Sequence, residues 1–102
     1  MKTKNYKDSL IITFEKIDEP ISYEYFMKKY FDELITQSEK ENIILNFNNM
    51  LVEFNVSAVL VLLHKNAKIS KRKITFKGIK NNSPLGFAIK SMHLDKILNI
   101  EE

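Results

Sequence analysis

A chain of 102 residues with 44% hydrophobic and 28% charged residues suits one folded domain, and excludes a disordered segment or two independent cores. Sixteen basic residues face thirteen acidic ones, and both signs are spread widely, so the net charge of +3 does not by itself imply nucleic acid. With no cysteine, disulfides, thiolate metal ligands and thiol nucleophiles are excluded.

The basic start Met1-Lys2-Thr3-Lys4-Asn5-Tyr6-Lys7 runs into Asp8 and a short apolar stretch, without the h-region of a signal peptide. Met1 to Asp8 reads as a frayed tail or an additional edge strand. Ser9 to Glu15 is β-branched and aromatic, and predicts a strand. Pro20 stops regular structure, and Ser22 caps a helix with Glu24 in its first turn. Tyr23, Phe26, Met27, Tyr30, Phe31, Leu34 and Ile35 recur at helical spacing, a stripe that packing against a sheet explains without any ligand.

Asn42 to Phe47 is a short apolar run, and predicts a central strand buried on both faces. The residues 48–54 form a loop, and a second helix runs from Ser57 to about Ser70. Its opening Ala58-Val59-Leu60-Val61-Leu62-Leu63 is apolar around the whole circumference, which predicts burial of that half. This is also the longest uninterrupted apolar run, far too short to span a bilayer, so no membrane insertion and a cytoplasmic location are expected.

Lys73 to Ile79 predicts the next strand, and Asn81-Asn82-Ser83-Pro84 supplies a turn, a cap and a proline for the start of a third helix. Leu85, Ala88, Ile89 and Met92 give that helix an apolar face, and Leu94 to Ile100 closes the chain with a short edge strand. The alternation predicts an α/β fold: one domain over 1–102 with a mostly parallel sheet of four to five strands, covered by about three helices.

Three stretches stand in a telling order: Ile43-Ile44-Leu45-Asn46-Phe47, Val52-Glu53-Phe54-Asn55-Val56-Ser57-Ala58-Val59-Leu60-Val61-Leu62-Leu63, and Leu94-Asp95-Lys96-Ile97-Leu98. In order and spacing they resemble the STAS family of anti-sigma factor antagonists, and with the preceding strand and helix they cover nearly the whole chain. In that family the loop before the second helix usually reads Asp-Ser-Ser/Thr-Gly-Leu-Gly, and a partner kinase that is also an anti-sigma factor phosphorylates the first serine. The resemblance puts Asn55 at the aspartate, Val56 at the phosphoserine, Ser57 at the next hydroxyl and Ala58 at the glycine. Valine has no hydroxyl, so the usual switch is disabled. Asn46 stands where the central strand commonly carries an aspartate, Leu60 replaces a second glycine, and His93 replaces the glycine that commonly precedes the Leu-Asp-Lys-Leu tail.

The resemblance therefore implies a non-catalytic interaction module that docks through Asn55, Val56, Ser57 and Ala58, with no cofactor. Its implied partner is an anti-sigma kinase-like or other regulatory protein, or a transporter component. Ser57 is a candidate phosphorylation site, because phosphate at a helix N-terminus meets free N–H groups, although capping by Asn55 or Ser57 is the simpler reading. His64 and His93 lack metal-ligand spacing, and the carboxylates Glu15, Asp18, Glu19, Asp32, Glu33, Glu39 and Glu41 read as solvated surface. A second reading is a nucleotide or anion sensor at the start of the second helix, with Lys65 and Lys68 as anion contacts. A third is a nucleic-acid accessory protein acting through the basic stretch Lys65 to Lys80, which Phe76 as its lone aromatic disfavours.

Overall fold

Five strands lie side by side in chain order: β1 (Lys2–Asn5), β2 (Ser9–Thr13), β3 (Asn42–Asn46), β4 (Lys73–Lys77) and β5 (Asn99–Glu101). This computed structural model describes the backbone of residues 2–36, 40–50, 52 and 57–101, and the side chains of these apart from 30–36 and 57. β1 pairs antiparallel with β2, whereas β2 to β5 are parallel, and the crossovers carry α1 (Tyr23–Thr36), α2 (Ser57–Ile69) and α3 (Pro84–Ser91). The expected α/β architecture is thus what the chain adopts. Of the two readings of the N-terminus, the edge strand holds: Tyr6 N donates to Ser9 O at 2.8 Å and closes a hairpin.

Because the parallel strands run in chain order, right-handed crossovers place all three helices on one face. The pairing rows Leu10–Ile43–Ile74 and Ile12–Leu45–Phe76 lie on that face. With Phe14 and Phe47 they form one core together with Phe26, Leu60, Leu63, Leu85 and Ile89. The opposite face carries Ile11, Ile44 and Thr75 in one row and Thr13, Asn46 and Lys77 in the next, all half-buried. β3 is therefore not buried on both faces: its burial alternates, since Ile44 turns away from the helices.

Local chemistry sets the helix starts. Ser22 Oγ accepts from Tyr25 N at 3.2 Å and caps α1. Phe26 is fully buried there and Tyr25 and Met27 pack against the core, but Tyr23, the first residue of the predicted stripe, is exposed. In α2 the circumferential apolar run is only partly buried: Leu60 and Leu63 face the core, while Leu62 stays 53% exposed. Ser83 Oγ accepts from Gly86 N at 3.0 Å, with Pro84 behind it as the first helical residue of α3. Ser83→Ala is expected to cost about 1 kcal/mol, read as a lower denaturation midpoint at unchanged slope. Leu85 and Ile89 form the buried face of α3, whereas Met92 is exposed. His93 adopts a left-handed conformation (φ 55°), leading into a 3₁₀ turn at Leu94–Lys96 and then β5.

Asp18 departs from its expected solvated role. It is buried in a 3₁₀ turn at Lys16–Asp18, where its carboxylate accepts from Glu15 N at 2.8 Å and from the Tyr25 hydroxyl. A buried carboxylate needs such donors to replace water.

Candidate interaction site

Parallel strands bring their carboxyl ends to one edge of the sheet, the edge at which open α/β sheets commonly bind ligands. α2 starts at this edge, since it follows β3 and crosses back to β4. Asn55 and Val56 lie outside the described residues, as does the side chain of Ser57. Of the predicted docking residues the structure places Ala58, in the first turn of α2, where it is exposed. Leu60 is fully buried, whereas Ala58 presents its methyl group at the surface.

At the same edge, the ends of β3 and β4 build a polar cup of about 430 Å³, lined by Asn46, Asn48, Asn49, Lys77, Lys80 and Asn81 among others. Asn46 Oδ1 accepts from Asn48 N at 2.8 Å, an Asx turn that ends the strand. Asn48 and Asn49 then both take left-handed conformations (φ 55° and 57°), which asparagine tolerates better than most residues. Asn48 Nδ2 reaches Phe14 O at 3.2 Å, and Asn49 N donates to Gly78 O at 2.7 Å, so the turn is tied to both neighbouring strands. Gly78 is itself left-handed (φ 71°) and sits so close that a Cβ there would lie 2.4 Å from Asn46 Oδ1 and 2.5 Å from Asn48 N. The cup is thereby preorganised. The sequence marks this loop by Asn48-Asn49 and Gly78, but only the register of β3 and β4 brings them together.

A second feature of this edge is apolar. The 3₁₀ turn after β2 is held by the Asp18 bonds, with Glu15 and Asp18 forming a reciprocal capping box, and it displays Ile17 at 85% exposure. Ile21, just beyond, bridges to Val52 on the approach to α2. An apolar side chain held out on a rigid turn loses little entropy on binding, as a docking anchor requires. Its only sequence signal is an isoleucine between Lys16 and Asp18 in a short loop.

The basic stretch is divided by the fold. Lys77 and Lys80 reach the cup, whereas Lys68, Arg72 and Lys73 lie at the opposite edge around a second cavity. Lys65 is exposed and lines neither. From Ser57, Lys65 and Lys68 are about 12 and 16 Å down the axis of α2, so the structure does not bring the predicted anion contacts to the helix start. Phe76 is fully buried in the core and offers no stacking surface. Among the described residues no three of His, Cys, Asp and Glu cluster as metal ligands would, and no helix is long and apolar enough to cross a membrane.

No family model and no curated protein matches the chain. The fold is similar to that of the protein TM1081, solved by NMR. The two agree with a TM-score of 0.63 at 20% identity, over 98% of this chain and 78% of that one. At that identity the likeness establishes the α/β fold alone.

Proposed function

We propose that this protein is a STAS-like interaction module that docks onto a regulatory protein through the carboxyl edge of its sheet, at the start of α2. The observation that carries this reading is the exposure at that one edge of Ala58, beside the family's switch position, and of Ile17 on its braced turn. Two features support the family reading: the order β3, α2, β4, α3, β5, and the left-handed His93, a conformation that suits the glycine the family commonly has there. No chemistry is required of such a module. Its partner is an anti-sigma kinase-like protein, another protein of that switch type or a transporter component, met in the cytoplasm of a bacterium. Phosphorylation by a cognate kinase would be confined to Ser57, which phosphopeptide mapping checks.

The test places a charge where the partner sits. In pull-downs, Val56→Asp is expected to lose the partner recovered by the wild type, because a desolvated carboxylate without a mate opposes binding. Ile69→Asp, at the far end of α2, should recover it unchanged. Recovery of the same partner by Val56→Asp, or of none by the wild type, contradicts the proposal.

The cup favours a second reading, a nucleotide or anion sensor at the same edge. Its volume falls in the range of small-molecule pockets, and its amides and two lysines suit a polar anionic ligand. A flat calorimetric response across a nucleotide panel would remove that reading.

A further inference from the structure

α2 ends in a fixed geometry. Arg72 N donates to Ala67 O at 2.7 Å and Lys71 N to Lys68 O at 3.1 Å, the paired bonds of a Schellman cap with Lys71 left-handed at its turn (φ 60°). The cap folds Arg72 back beside the last turns of the helix and delivers Lys73 to the first position of β4. His64 and Lys68, one turn apart on α2, share a face with that return.

Between them lies a cavity of about 190 Å³, lined by His64, Lys68, Arg72, Lys73, Ile74 and Asn99. Among the described residues no carboxylate lines it, and Lys68, Arg72 and Lys73 form no ion pair. The Glu41 carbonyl accepts from Lys73 N at 2.9 Å, and the exposed Glu41 side chain is not among the residues that line the cavity. Asn99 Nδ2 donates one of its two hydrogens to Ile74 O at 3.2 Å, so the charged donors of the lining are Lys68, Arg72 and Lys73. The dipole at a helix C-terminus favours cations nearby, but it does not by itself account for three basic residues lining one cavity with no carboxylate among the described lining.

We propose that this cavity binds a phosphate group of a small free metabolite. Arg72 supplies the planar fork that grips two phosphate oxygens, and Lys68 and Lys73 supply point charges. The volume is below the range of nucleotide-sized pockets and suits one phosphate or diphosphate group. The site lies at the amino ends of the strands, away from the docking edge, and does not rest on the docking proposal.

Amide chemical shifts followed during titration with inorganic phosphate and with pyrophosphate, at constant ionic strength, test it. Saturable shifts are expected at residues 64, 68, 72–74 and 99. Arg72→Ala should weaken binding about tenfold or more, and Lys68→Ala should weaken it in the same direction, while Lys28→Ala, at an exposed lysine of α1 that lines neither cavity, changes it less than about twofold. Vesicles containing phosphatidic acid form a separate arm. Binding to vesicles without response to the free phosphates overturns the assignment to a small metabolite. No saturable shift at these residues, equal shifts at the exposed Lys28, or unchanged affinity in folded Arg72→Ala and Lys68→Ala also overturns it.

Discussion

Phe47→Ala is expected to destabilise the fold by about 3–5 kcal/mol, a large share of the about 5–15 kcal/mol typical of a domain this size. Phe47 ends the core row of β3 and is almost wholly buried. Its ring stacks on Phe14 at 5.6 Å and on Phe26 at 5.8 Å between centroids, joining strands β2 and β3 to α1. Truncation removes that contact and leaves a cavity among rings too rigid to fill it. The backbone of Phe47 also anchors the cup, since its N–H donates to Lys77 O at 2.8 Å and its carbonyl accepts from Met50 N at 3.0 Å. Urea unfolding should show the loss as a lower midpoint. A cost below about 1 kcal/mol would contradict the packing described.

Gly78→Ala is expected to cost about 2–4 kcal/mol. About 1–2 kcal/mol comes from holding a residue with a Cβ in the left-handed region, and the rest from overpacking. The new methyl would press on Asn46 Oδ1 and on the backbone of Asn48. It must therefore displace the Asx turn, and with it the hydrogen bond from Asn49 N to Gly78 O. Amide shifts at Asn48 and Asn49 should move along with the midpoint. A stable variant with those shifts unchanged would mean that the cup is looser than its hydrogen bonds imply.

What the sequence could reveal is what local chemistry decides. The caps at Ser22 and Ser83, the proline at the start of α3 and the strand composition from Ser9 onward each act within a few residues; the caps and the proline stand where expected, and the strand expected over Ser9 to Glu15 ends at Thr13. The open face of the sheet was not legible. Ile43-Ile44-Leu45 is apolar at both parities, and nothing local distinguishes Ile43 and Leu45, which meet the helices, from Ile44, which does not. Topology decides that, because strands in chain order send every helix to one side.

The same holds for the sites. Lys65 to Lys80 reads as one basic stretch, but Lys73 and Lys77 are four residues apart along β4, about 13 Å, and so belong to opposite edges. Asp18 looks like a surface carboxylate until the turn and Tyr25 enclose it. Ile17 acquires meaning only once that turn is seen to hold it outward. The docking proposal at the start of α2 rests on the resemblance, which aligns Val56 with a switch serine.

The docking proposal is tested most directly by amide hydrogen exchange on the protein alone and in complex with the partner recovered by the wild type. Slowed exchange is predicted at the first turn of α2 from Ser57 onward and at the turn around Ile17, with residues 64–73 unchanged. Protection confined to the open face of the sheet or to the 64–73 region, with the start of α2 unaffected, would contradict it.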